Sequence, residues 1–240
     1  MIKRDSFFLN IPKNIDKRQI FLLEGIRFCF ESIFLNYLTL QNELEYISTN
    51  PLREQSHALI FKEAWQQIDT THRLTNLISS LALYNEDNKN KKDSDFEFLK
   101  EVKPFRNTFQ HLDERIDEFM LDLNAPLWGS ISWLMVKDDN HINSFILSIG
   151  HPREDFESQI INPAGKIIEH KIDRITLESI QKNKNDTIVK IDLSSLYSKT
   201  ERLIKQLELQ FKDQIIELTD QLDKEILLQD TLLCLEFKVS

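Results

Sequence analysis

The chemistry in this sequence concentrates at Arg106-Asn107-Thr108-Phe109-Gln110-His111. A guanidinium binds a phosphate through two parallel N–H donors and stays charged throughout. An imidazole titrates near pH 6.5, so it gives or takes a proton at neutrality. Pro104 suits the first turn of a helix, which places a helix start at or near Lys103–Phe105. Free N–H groups and the helix dipole favour an anion at such a start. With RNA, the ribose 2′-hydroxyl would attack the adjacent phosphorus while His111 handles a proton. Arg106 would stabilise the pentacovalent charge, and Asn107 would orient His111 or the phosphate. No metal or cofactor is required. The bland reading of the same residues is a solvated helix face.

The element that must position them has an apolar stripe. Phe105, Phe109, Leu112, Ile116, Phe119 and Leu123 repeat at helical spacing. On a continuous helix Arg106 points roughly 100° from the stripe centre and His111 roughly 120° the other way. Asn107 lies nearly opposite the stripe, about 40° from His111. All three therefore face solvent, or a groove made by another helix or another subunit. Asp69, His72 and Arg73 sit three and four apart on one helical face and could line the same groove, although three such polar residues are more often simply solvated. Trp128 and Trp133 suggest either a base-stacking platform or, more commonly, core packing.

Arg106-Asn107-x-x-x-His111 resembles the R-x4–6-H signature of the HEPN superfamily, including the frequent Asn after the Arg. The run Leu112-Asp113-Glu114-Arg115-Ile116-Asp117 is similar to the charged segment that follows the His in some members. Asp113 stands where some members carry a Tyr. The resemblance covers roughly residues 18–124. It implies a helical bundle and a metal-independent endoribonuclease, with RNA as substrate and Arg106, Asn107 and His111 as its site. It also implies a homodimer whose two motifs share a cleft. Many members belong to toxin–antitoxin, CRISPR or phage-defence systems, so an antitoxin or defence partner protein is implied too. Other members are inactive, which leaves a binding or scaffold module as the alternative.

Composition narrows the setting. A formal charge of −9 argues against bulk nucleic-acid coating but leaves room for a small local site. With 4 Gly in the chain, no glycine-rich phosphate loop occurs. Cys29 and Cys234 are too few for a disulfide framework or a zinc site, and a reducing cytoplasm fits them. The other histidines show no metal-ligand spacing. The most apolar window, Ile20 to Leu40, contains Glu24, Arg27 and Glu31 and reads as a buried helix rather than a membrane span.

These observations predict an α+β protein, mainly helical. Residues 1–17 read as an extended or loose lead. Residues 18–125 form the bundle, with helices over about Arg18–Ile47, from Pro51 to about Tyr84 with a kink or a change of packing partner near Asp69–Arg73, and through Ser94–Leu123. Asn85–Asp93 is a polar connector. Residues 126–193 form a small antiparallel sheet with strands at 130–137, 142–149, 156–162, 166–173 and 187–192. Residues 194–240 form a long helix that Ser194 or Ser195 would cap, packing on the bundle or on a second subunit.

Overall fold

The computed structural model describes residues 2, 6–12, 15–50, 57–81, 94–116, 126–138, 141–149, 170–181 and 187–218. The protein is mixed α+β. Its helices are α1 (Lys17–Thr49), α2 (Ala58–Ser79), α3 (Ser94–Leu99), α4 (Lys103–Gln110), α5 (Leu112–Arg115) and α6 (Leu193–Leu218). Its strands are β1 (Ser130–Asp138), β2 (His141–Ser148), β3 (Ile172–Gln181) and β4 (Thr187–Asp192). The expected strand at 156–162, the connector 85–93 and the helix beyond Leu218 lie outside the described residues.

Helix α1 starts where the Asp16 carboxylate accepts hydrogen bonds from the Arg18 and Gln19 amides, at 3.0 and 3.2 Å. Its inner face, from Leu23 through Ile33 to Leu44, is buried. Helix α2 runs beside it as one continuous helix through Asp69–Arg73, a stretch from which Asp69 reaches Arg106 on α4. Gly25 allows the close approach: a Cβ there would sit 3.0 Å from Leu77 Cδ1.

The strands form one antiparallel sheet in the order β2-β1-β3-β4. Strand β1 is buried continuously from Ser130 to Met135, as befits a central strand covered on both faces. Trp133 stacks on its cross-strand partner Phe145, with ring centroids 5.2 Å apart. Its indole N–H donates to Ser48 Oγ at 2.9 Å, tying the sheet to the end of α1. Trp133 is thus a core residue and no stacking platform.

The structure corrects three sequence expectations. The lead is not loose where it is described, because Phe8 and Ile11 are fully buried and Phe7 and Phe8 both pack on Phe211 of α6. Of the expected strand 166–173, residues 166–169 lie outside the described residues, and strand β3 begins at Ile172 and runs on to Gln181. Arg174 has φ 54°, and the β1–β3 register shifts between Ser132 and Leu134. This bulge puts Ile172 and Ile175 into the core three residues apart and hides the two-residue period. Lastly, α6 begins at Leu193, and its cap is Asp192. One Asp192 oxygen accepts from the Ser195 amide at 2.8 Å and the other from the Ser195 hydroxyl at 2.9 Å. Ser194 instead latches the helix: its Oγ accepts from Tyr37 Oη at 2.9 Å and from the Ile175 amide at 3.0 Å.

Buried residues of α1, α2, the sheet and α6 form a single core cluster. Asp95 on α3 receives a two-pronged bond from the Arg202 guanidinium on α6, at 2.8 and 3.0 Å. Among the described residues no helix is long and apolar enough to cross a membrane.

Candidate functional site

The segment carrying Arg106 is a chain of short helical pieces. After α3 a 3-10 turn, Lys100–Val102, leads into α4, and Pro104 occupies its first turn. Val102 has helical backbone angles, so α4 does not begin at an open end. The phosphate cradle of free N–H groups expected at Lys103–Phe105 is therefore not how this site is built. Phe105 and Thr108 are buried and fix the inner face of α4.

The helix then stops at His111, whose φ of −115° and ψ of 37° lie off the helical values. Its amide still donates to the Asn107 carbonyl at 3.2 Å, and α5 restarts at Leu112. The continuous helix expected through Leu123 is thus broken after about two turns, and the angle assigned to His111 on that basis does not apply. The ring stands at the break with its side chain 52% exposed, not plugged into the core. Its Nδ1 lies 3.5 Å from Glu114 Oε2. Asn107 is exposed, and its side chain has no hydrogen-bond partner among the described residues.

Arg106 has a different setting. Its Nε donates to Asp69 Oδ1 on α2 at 3.2 Å, and the side chains are 27% and 17% exposed. The other Asp69 oxygen takes Arg73 Nη2 at 2.7 Å, one helical turn along α2. One carboxylate thus holds two guanidiniums. Because Asp69 uses Nε, the two terminal amino groups of Arg106 keep their donors, and no other described residue takes them. His72 lies on the same stretch of α2 and contacts the Asn76 amide through Nε2 at 3.3 Å. Partial burial holds its imidazole below the ordinary value of 6.5. The positive charge of Arg106 pushes the same way, Asp69 opposes it, and Lys103 adds a smaller push downward. His72 is therefore neutral at pH 7.

The structure thus brings Arg106, Asp69 and Arg73 into direct contact and sets His72 in their field. It does not join Arg106 to His111, which make no hydrogen bond or ion pair with each other. Lys103 was missed by sequence reading. It sits three residues before Arg106, one helical turn away, a spacing that would have found it. Trp128, offered by the sequence as a stacking platform or a core residue, joins two rings that the sequence did not connect with it. The rings of Trp65 and Phe109 stack with centroids 4.9 Å apart and 14° between planes, and Trp128 tilts against Phe109 at 5.9 Å. They line a cavity of about 420 Å³ whose rim includes Asp69. A second, more open groove of about 690 Å³ runs between α1 and α2, past Phe28, Cys29, Thr70 and Arg73. Burial pushes the Cys29 thiol up to about 11, so it is no nucleophile at neutral pH.

Two guanidiniums thus share the Asp69 carboxylate, with the His72 imidazole in the field of Arg106 and Lys103, a local concentration of positive charge on an acidic protein. Comparison with family models, with curated proteins and with solved structures gave no match to this chain, so the likeness to HEPN proteins rests on the Arg106–His111 motif and its helical setting.

Proposed function

We propose that this chain is a metal-independent endoribonuclease of HEPN type, acting as a toxin or phage-defence effector. One observation carries the reading. Asp69 takes Arg106 through Nε alone and so leaves the two terminal amino groups, the donor pair that a phosphate takes in bidentate fashion, without a partner among the described residues. Arg73 and Lys103 add charge for a polynucleotide backbone. His111 is exposed, with Nδ1 turned to Glu114. In the reaction the 2′-oxygen gives its proton to His111 and bonds to phosphorus. The bond from phosphorus to the 5′-oxygen breaks, and that oxygen takes a proton from the imidazole of a facing copy or from water. The products are a 2′,3′-cyclic phosphate and a 5′-hydroxyl. Arg106 stabilises the charge on the equatorial oxygens.

A homodimer belongs to this reading. Phe21, Phe28 and Leu35 recur every seven residues along α1 and are 71%, 68% and 61% exposed. Apolar side chains left in one line on a long helix favour a helical partner. The same stripe favours the second reading, an inactive helical module that works through contacts with an antitoxin or scaffold protein.

Cleavage separates the two. With EDTA present, the chain should cut single-stranded RNA and leave cyclic phosphate ends. His111→Ala should lower the rate at least a hundredfold with an unchanged circular dichroism spectrum. Equal rates for His111→Ala and the parent would leave only the second reading.

A further inference from the structure

The cavity beside Arg106 has the form of a receptor for a flat ring. We infer that it is a nucleobase pocket, so that the site takes one nucleotide unit by its phosphate and its base together. The inference deepens the ribonuclease reading and rests on Arg106 as the phosphate holder.

Size comes first. About 420 Å³ falls within the range of small-molecule sites and is ample for a purine or a pyrimidine. Its walls are prearranged. Trp65 and Phe109 are already stacked, and the Trp65 indole N–H is spent on the Trp128 carbonyl at 3.1 Å. Trp65 itself is only 3% exposed, so it backs Phe109 with no unsatisfied donor and leaves Phe109 as the π surface for a base face. Phe109 is 37% exposed even though Trp65 covers one face, so part of its ring is open to a ligand.

The rim supplies polarity. Gln66 and Lys62 stand at the edge of the cavity, and the Gln66 amide N–H already donates to Thr70 Oγ1 at 3.2 Å. The Gln66 carbonyl oxygen is then an acceptor for an exocyclic amino group or ring N–H of a base.

Continuity with the anion site identifies the occupant. Asp69 is at once a wall of this cavity and the clamp on Arg106. Phe109 follows Arg106 by three residues on α4, so ring and guanidinium lie one helical turn apart. A purely apolar ligand would use the rings and ignore the cations. A free phosphate would use the cations and ignore the rings. A nucleotide uses both.

Isothermal titration of the full chain with adenosine and uridine 5′-monophosphate, against ribose 5-phosphate and inorganic phosphate, tests this. Both nucleotides should bind ten- to a hundredfold more tightly than ribose 5-phosphate. They should also change the fluorescence of the parent protein, in which Trp65 and Trp128 line the cavity, where ribose 5-phosphate does not. Phe109→Leu keeps apolar bulk and should bring nucleotide affinity down toward that of ribose 5-phosphate while leaving the sugar phosphate unaffected. Equal affinity for nucleotides and ribose 5-phosphate in the parent protein overturns the inference, as does tight nucleotide binding that Phe109→Leu leaves intact. Binding of a long-chain fatty acid in place of the nucleotides, displaced by neither, assigns the cavity to an apolar ligand and overturns it too. The outcomes stay apart from those of the cleavage test. Base-dependent binding without cleavage retains the pocket and discards the nuclease, and cleavage without base-dependent binding does the reverse.

Discussion

At the residue scale the centre of the site is the Asp69 carboxylate. It neutralises part of Arg106 and Arg73 and holds the Arg106 guanidinium by its Nε. Asp69→Asn keeps the shape but weakens both bonds. We expect it to lower RNA affinity or cleavage by about tenfold through lost aim, although it raises the local positive charge. A rise in affinity at constant cleavage rate would show that charge alone matters. His72 reports the same geometry. Its imidazole titrates below 6.5, with burial as the first cause and Arg106 as the second. Arg106→Gln should therefore move its NMR titration midpoint upward, toward 6.5. An unmoved midpoint would place Arg106 outside its field. Much of this cluster was legible in the sequence, because positions 69, 72 and 73 are neighbours on any helix. That Asp69 reaches α4 was not, since nothing local in the chain encodes which helices meet.

At the element scale, two breaks decide where functional side chains point. The helix end at His111 was signalled by Asp113 and Glu114, acids in the first turn of a new helix, but those residues read equally as a charged surface run. The apolar stripe passes through the break and hides it. The bulge at Arg174 concealed β3 in the same way, by disturbing the period that identifies a strand. Strand β4, which lies beyond the bulge, was legible at its true limits. Gly129 sets up the entry to β1: its φ is +80°, and an added Cβ would lie 2.2 Å from the Glu178 carbonyl oxygen. Gly129→Ala should cost about 3 kcal/mol in urea denaturation, whereas a cost under about 0.5 kcal/mol would mean the turn adapts freely. The α3–α6 joint has a pH signature. Hydrogen bonding by Arg202 holds the Asp95 carboxyl below its ordinary 3.8. Its stabilisation is thus complete above 3.8 and is lost as the pH falls through the lower folded value. Arg202→Ala should remove about 1 kcal/mol at pH 7 and progressively less below pH 3.8, measured by chemical denaturation at each pH.

At the scale of the whole molecule, one core joins the helices to the sheet, while the outer face of α1 stays apolar and uncovered. The apolar window Ile20–Leu40 read as a buried helix, yet Phe21, Phe28 and Leu35 on it are exposed. The burial pattern of α1 became readable only once α2 and α6 had taken their sides. Light scattering at micromolar concentration should show a dimer, and the paired change Phe21→Ser and Phe28→Ser should give monomers of unchanged helicity. A parent that is monomeric would remove the shared cleft. The account stands or falls on the Arg106 fork holding a phosphate. The most direct measurement is the salt dependence of binding to a single-stranded RNA made uncleavable by 2′-O-methylation, compared between the parent and Arg106→Gln. We predict at least tenfold weaker binding for the variant at low salt and a log–log salt slope shallower by about 0.7, the loss of one phosphate contact. Superimposable affinities and slopes would contradict it.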